Sequence, residues 1–244
     1  PGDDAAGALM PGGLMTIFRS LLFLLWFAAL SVLLSLIFWP VLLLPRGAAI
    51  WLAKSWARAT FWGLRVFAGI GFEIRGAPPK GPVLVAAKHM SMWDTLALYL
   101  LLDRPGIVLK RELLFVPFFG WFVWKAAAIP IDRGARAKAL RKMSAAAGRV
   151  LEEGRPVLIF PEGTRKKPGA PPDYKPGVAG LYGMLDVACV PVALNSGVYW
   201  TGFLKRPGTI TLAFLETIPP GLKRGDFMAL LEKRIETATT ALLP

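Results

Sequence analysis

The sequence predicts an α/β fold: a mixed, largely parallel sheet flanked by helices, with an N-terminal two-helix membrane-binding hairpin. Three observations carry that expectation. From about Phe72 onward, short apolar and β-branched runs alternate with stretches of helical composition; a long uncharged segment opens the chain; and a basic, aromatic segment joins the two. Strands separated by helical stretches build parallel or mixed sheets, because a crossover helix returns the chain to the same end of the sheet.

Residues 1–13 are rich in Gly, Pro, Ala and Asp and lack a hydrophobic period, so they read as a disordered tail or expression remnant. Residues 14–70 form the expected hairpin and 71–244 the α/β domain. No residue from Ser20 to Pro45 is charged, and Leu21 to Trp39 is almost wholly apolar. At ~1.5 Å per residue that run is long enough for the ~30 Å hydrocarbon core. It either crosses or enters one leaflet and returns; a core helix is the bland alternative. Pro40, Pro45 and Gly47 interrupt it.

Ala48 to Ala68 carries Lys54, Arg58 and Arg65 at helical spacing among Trp51, Trp56, Phe61, Trp62 and Phe67. This composition predicts an interfacial helix, its basic stripe toward headgroups and its aromatics toward acyl chains. If the first segment crosses, the basic excess after it leaves the body in the cytoplasm. A cleaved signal peptide is disfavoured, because the apolar run is too long and lacks a small-residue cleavage site.

Strands are expected at Val83–Ala87, Gly106–Leu109, Ala126–Ile131, Pro156–Phe160, Ala188–Leu194 and Thr209–Leu215. Helices are expected at Met92–Leu102, Ala135–Glu153, Gly177–Leu185 and Asp226–Leu242. No internal repeat and no Gly-rich nucleotide fingerprint is present.

Composition narrows the function classes. The chain has 244 residues, 55% of them hydrophobic, with a mean hydropathy of +0.50. That is too apolar for an ordinary soluble domain, while the second half is too charged for a polytopic transporter. A formal net charge of +13 favours anionic partners. Membrane phospholipid is preferred over nucleic acid, because the cations are scattered among apolar stretches and no nucleic-acid motif is present. The single cysteine, Cys189, lies in an expected strand and reads as a buried, inert thiol.

His89 is the only histidine, and it follows directly on the first expected strand of the body. Imidazole is the side chain best suited to general-base work near neutral pH. Asp94 stands five residues later, a rotation of about 500° on a continuous helix. The two meet only if His89 lies in the turn and Asp94 in the first helical turn. Ser91 and Asp94 also form an S-x-x-D capping box, and a carboxylate with two oxygens can serve both purposes.

Further cations stand at strand ends, where open α/β folds bind ligands. Lys110-Arg111-Glu112-Leu113 follows one strand, and Arg133 follows Ile129-Pro130-Ile131-Asp132. Phe160-Pro161-Glu162-Gly163-Thr164-Arg165 follows a third. There Gly163 permits a tight turn, Thr164 offers a hydroxyl and Arg165 presents a planar fork to phosphate oxygens. Glu162 is expected to anchor the arginines or the turn. With one His and one Cys a standard zinc site is hard to build, so no metal is expected.

Taken together, these segments resemble the signature blocks of the glycerolipid acyltransferase superfamily. His89 with Asp94 resembles the HX4D block, Lys110–Leu113 the KxEL-type block and Ile129–Arg133 the block read as F/I-x-x-R; Phe160–Arg165 matches FPEGTR and Val190-Pro191-Val192 resembles the proline-interrupted strand. Order and spacing agree from Lys88 to Leu194, and the pattern is most similar to bacterial 1-acylglycerol-3-phosphate acyltransferases. The resemblance implies transfer of a fatty acyl group from an acyl carrier protein or coenzyme A thioester to the sn-2 hydroxyl of lysophosphatidic acid. His89 would be the general base, Asp94 its orienting carboxylate, and Lys110, Arg133 and Arg165 the phosphate ligands, with Glu162, Gly163 and Thr164 supporting them. No cofactor beyond the thioester co-substrate is implied. The implied location is the bacterial inner membrane, with the catalytic domain on the cytoplasmic face. Ile-Pro-Ile-Asp before Arg133 departs from the commoner aromatic-containing form.

An acyltransferase of the same chemistry acting on lyso-ornithine lipid is the alternative. Glycerol 3-phosphate as acceptor is disfavoured by chain length. A non-catalytic lipid-docking module would leave His89 without consequence, and a Ser-His-Asp hydrolase lacks its G-x-S-x-G elbow.

Overall fold

A strand buried on both faces must be apolar along its whole length, and the runs expected to be strands meet that requirement. The computed structural model describes residues 11–116, 119–125, 128–131 and 136–244. It opens with helix α1 (Pro11–Ile37), a 3-10 turn (Trp39–Leu43) and helix α2 (Arg46–Gly63), which ends in a π-turn (Leu64–Ala68). There follow β1 (Ile70–Arg75), β2 (Leu84–Ala87), α3 (Met92–Leu101), β3 (Gly106–Lys110), a 3-10 turn (Arg111–Phe115), α4 (Phe119–Lys125) and β4 (Ile129–Ile131). The chain continues through α5 (Arg136–Glu152), β5 (Val157–Ile159), α6 (Gly177–Leu185), β6 (Cys189–Leu194) and α7 (Ser196–Tyr199). It closes with β7 (Trp200–Thr201), β8 (Leu204–Lys205), β9 (Gly208–Phe214) and α8 (Arg224–Leu242).

The main sheet has the order β1-β9-β6-β2-β5-β3-β4, and every neighbouring pair is parallel except β6 with β9. The sheet is therefore mixed and largely parallel, with helices on both faces. β2 sits at its centre, and its side chains alternate between two cores. Val85 and Ala87 join Phe23, Phe61, Trp93 and Leu212 on the side of the N-terminal helices and α3. Leu84 and Ala86 join residues of α5, α6 and α8, including Met143, Tyr182 and Phe227. Cys189 lies in the second core, where burial pushes its thiol up to about 12.

Several expectations need correction. Helix α1 begins at Pro11, so the expected tail gives way to helix before residue 14; its first ten residues lie outside the described ones. The strand expected at Ala126–Ile131 is only Ile129–Ile131, and residues 126–127 lie outside the described ones. The expectations did not include β1, α4, the short α7 or the β7–β8 pair. β1 carries Glu73 and Arg75 and is mostly uncovered, so it lacks the continuous apolar run of a central strand. The β7–β8 pair is too short for periodicity to reveal, and the composition of α4 is as compatible with a strand as with a helix.

The N-terminal helices share a core with the sheet. Trp26 donates its indole N–H to the carbonyl of Ala59 (3.1 Å), and Trp56 donates to the Ser31 hydroxyl (3.1 Å). A Cβ at position 63 would collide with the Trp26 ring, so Gly63 permits the close approach of the two helices. Arg19 donates to the Phe67 carbonyl (2.9 Å), and the Ser20 hydroxyl accepts from the Lys205 amide (2.8 Å). The Lys205 ammonium is buried, bonds the carbonyls of Gly202 and Phe203, and lies 4.8 Å from the Trp200 ring centre. Burial pushes its pKa down to about 8.

Helix α1 is long and apolar enough to cross a membrane, and Leu14, Phe18, Leu21, Leu25, Val32 and Leu36 form an exposed stripe along it. The stripe on α2 differs from the expected one. Arg58 and Arg65 are exposed, but Lys54 turns inward, donates to the Leu102 carbonyl (3.1 Å), and has its pKa lowered chiefly by burial. Likewise Phe61 packs into the body against Phe72 and Trp93, leaving Trp51 and Trp62 as the strongly exposed aromatics of this helix.

Phe23 is wholly buried and packs edge-on against Trp200, where α1 meets the β7–β8 pair. Phe23→Ala is expected to cost about 3 kcal/mol, a fall of roughly 6–12 °C in the unfolding midpoint. Leu25→Ala, on the exposed stripe, should move the midpoint by no more than about 2 °C. Calorimetry on the two variants in the same detergent checks both.

Candidate active site

A parallel strand delivers its C-terminal residues to one edge of the sheet, and β2 delivers Lys88 and His89 there. Ser91 then takes an extended conformation as the N-cap of α3, which puts Asp94 at the third helical position. This placement solves the angular problem posed by the five-residue spacing. The Asp94 carboxylate is wholly buried, and its Oδ2 accepts from the Met90 amide (2.6 Å), the Ser91 amide (2.8 Å) and His89 Nδ1 (3.0 Å). Its Oδ1 accepts from the hydroxyls of Ser91 (3.2 Å) and Ser196. The cap and the imidazole contact therefore coexist on one carboxylate. A carboxylate facing Nδ1 requires the proton on that nitrogen, which leaves Nε2 with a free lone pair.

The Phe160–Arg165 segment folds back against the same histidine. The Phe160 ring stacks on the imidazole with centroids 4.0 Å apart. Gly163 donates to the Phe160 carbonyl (2.9 Å) with a φ of 66°, a conformation that costs little only without a Cβ. The Lys166 amide donates to the His89 carbonyl (2.8 Å). Ring and backbone of His89 are thus both held by one turn.

Glu162 is wholly buried and finds its cation in Lys88 (2.8 Å) rather than in an arginine. The same Lys88 ammonium bonds Glu236 of α8 (2.8 Å), which also accepts from the Tyr174 hydroxyl (2.8 Å). Burial, reinforced by the Glu236 charge, raises the Glu162 carboxyl above the usual range despite the Lys88 ammonium. Tyr174 is likewise raised, first by burial and then by Glu236.

His89 lines a cavity of about 1320 Å³, together with Lys110, Glu162, Gly163, Thr164 and Arg165. Lys110 and Arg165 are exposed at its surface; Lys110 lies 3.6 Å from Glu112, and among the described residues Arg165 has no ion-pair partner. Arg133 lies outside the described residues. Most of the rest is apolar, with Phe27, Trp56 and Leu96 toward the N-terminal helices and Met143, Ile159 and Val178 toward α5 and α6, while Asp173, Lys175 and Arg224 also line it. The arrangement offers an oriented base, cations and a large apolar volume within one space, a combination suited to an amphiphile with an anionic head.

Sequence reasoning missed Lys88, Ser196, Glu236 and Tyr174. Lys88 carried a signal, because a lysine at the end of an apolar strand is costly to bury without carboxylate partners. The others carried none, since Ser196 is 102 residues from Asp94 and Glu236 is 148 from Lys88.

The family model described as Acyltransferase matches residues 72–195. The chain is 38% identical over 195 residues to 1-acyl-sn-glycerol-3-phosphate acyltransferase of Pseudomonas aeruginosa, covering 78% of this chain and 76% of that protein. It is 33% identical over 175 residues to 1-acyl-sn-glycerol-3-phosphate acyltransferase alpha of Homo sapiens, covering 68% and 61%. The crystal structure of the 1-acyl-sn-glycerophosphate (LPA) acyltransferase from Thermotoga maritima has the same fold, with a TM-score of 0.74 over 92% of this chain and 96% of that one at 19% identity.

A carboxyl whose folded pKa is raised keeps a proton that the unfolded chain has released, so stability falls as pH rises from the unfolded toward the folded value. Glu162→Gln removes that titration. The wild-type unfolding free energy minus that of the variant should therefore decline as pH rises through and above the ordinary carboxylate range. Urea titrations at several pH values measure the difference; a flat or rising trend contradicts the assignment.

Proposed function

The chain belongs to the acyltransferase family, and from that premise we propose that it transfers a fatty acyl group from a thioester of acyl carrier protein or coenzyme A to the sn-2 hydroxyl of 1-acylglycerol 3-phosphate, giving phosphatidic acid. One observation carries the reading: an imidazole oriented by a buried carboxylate lines the same large, mostly apolar cavity as Lys110 and Arg165.

Arg165 and Lys110 bind the phosphate, joined by Arg133, and the acyl chains occupy the apolar volume. The bound phosphate sets the sn-2 hydroxyl against His89 and converts an encounter into an oriented reaction. Nε2 takes the hydroxyl proton as the oxygen attacks the thioester carbonyl carbon, and Asp94 stabilises the imidazolium that forms. The tetrahedral intermediate collapses with cleavage of the carbon–sulfur bond; the departing thiolate takes the proton back from the imidazolium. An ester and a free thiol result, with no acyl group on the protein. Glu162, Gly163 and Thr164 act by shaping the turn that holds His89.

Residues 14–70 serve as the membrane-binding hairpin and 71–244 as the acyltransferase domain. The exposed apolar stripe of α1, the exposed Arg58 of α2 and the exposed Arg65 of the π-turn suit an anionic leaflet, here the cytoplasmic face of a bacterial inner membrane. The basic surface also suits either polyanionic donor.

Thiol release measured with purified enzyme, each donor, and lysophosphatidate or lyso-ornithine lipid as acceptor tests the reading. The wild type should prefer lysophosphatidate, and His89→Ala should lose at least about 10³-fold in kcat while remaining folded. Inactivity with both acceptors defeats the enzymatic reading, and preference for lyso-ornithine lipid replaces the acceptor. Ser196→Ala removes a donor to the carboxylate that orients His89. It should lower kcat about tenfold and leave KM nearly unchanged; an equal rise in KM would assign Ser196 to substrate binding.

A further inference from the structure

Beyond the N-terminal hairpin, a second part of the surface bares large apolar side chains. In the 3-10 turn Arg111–Phe115, the adjoining Val116 and helix α4, Phe115 is 76% exposed and Trp124 72%, with Leu113, Val116 and Trp121 also exposed. Single exposed hydrophobics are ordinary, but a cluster of this size in so short a stretch marks a binding surface. Tryptophan has the amphipathic ring that settles at the level of lipid headgroups. Lys110 and Arg111 flank the cluster at one end and Lys125 at the other, as expected of an element that meets anionic headgroups.

This surface is continuous with the N-terminal hairpin. Phe122 of α4 packs with Leu34 and Ala48 onto Val41, Ala49 and Leu52, the cluster that closes the turn between α1 and α2. The end of α1 and that turn bare Leu36, Ile37, Trp39, Leu43 and Leu44. The cavity reaches the seam: Leu34, Ser35 and Leu36 line it from α1, and Lys110, Leu113 and Phe122 line it from the other side.

We propose that the turn Arg111–Phe115 and α4 form a second membrane-binding element, which seats in the same anionic leaflet as the hairpin and frames a side entrance through which the lysolipid passes from the bilayer into the cavity. The entrance rests on the acceptor proposed above; the seating in lipid does not.

Two experiments separate these parts. A nitroxide on Trp124→Cys is the only accessible thiol label, because Cys189 is buried. With the full chain on phosphatidylglycerol vesicles, the label should be reached by oxygen and protected from an aqueous nickel chelate. Ready access of the chelate overturns the proposal whether or not the enzyme is active. The double variant Phe115→Asp with Trp124→Asp should raise the apparent KM for bilayer-embedded long-chain lysophosphatidate about tenfold or more. Its turnover of a short-chain, water-soluble lysophosphatidate should stay within about twofold of wild type, since neither side chain lines the cavity, and that activity also reports a folded protein. An equal loss on both acceptors overturns the entrance, as does an unchanged KM. A second copy of the chain is the other possible occupant. Dissociation of a dimer by the double variant, with vesicle binding intact, assigns the surface to that copy and overturns the proposal.

Discussion

The site depends on one buried carboxylate. Asp94 has no contact with solvent, and it accepts from two backbone amides, two hydroxyls and the His89 ring. A carboxylate withdrawn from water without such partners would be strongly destabilising, so the donors cannot drift apart without a large penalty. They come from the loop after β2, which ends in the N-cap Ser91, and from Ser196 beyond β6. The carboxylate also lies at the N-terminal end of α3, where the helix dipole favours negative charge. The same requirement that keeps Asp94 hydrogen-bonded fixes the direction of the imidazole.

The Phe160–Lys166 turn complements this from the other side. It supplies a ring for the imidazole to stack on and an amide for the His89 carbonyl. Within that turn Gly163 takes a positive φ of 66°. Behind it, Lys88 lies between two carboxylates, one from the turn and one from α8. The site is thus assembled from three successive strand ends and closed by a helix that packs on the opposite face of the sheet.

What the sequence made legible follows the range of the interactions. His89 and Asp94 are five residues apart, so local geometry was enough to state the conditions under which they meet. The central strands were legible because burial on both faces forces continuous apolar runs, as in Leu84–Ala87 and Cys189–Leu194. β1 was not, because Glu73 and Arg75 at a largely uncovered edge break that pattern. The faces of α2 were read in part: its cations and aromatics suggested lipid on both counts, whereas Lys54 and Phe61 answer to the body of the protein. Partners such as Ser196 and Glu236 are selected by the three-dimensional fold alone, and nothing in their immediate sequence distinguishes them.

The link between Lys88 and Glu236 spans 148 positions, which ties the setting of the histidine to the order in which the polypeptide is made. The N-terminal helices and His89 leave the ribosome long before α8 does. Until Glu236 emerges, Lys88 has one of its carboxylates and not the other, and the second core lacks Phe227, Leu231 and Ile235. The nascent protein therefore acquires its finished site only once α8 has been made.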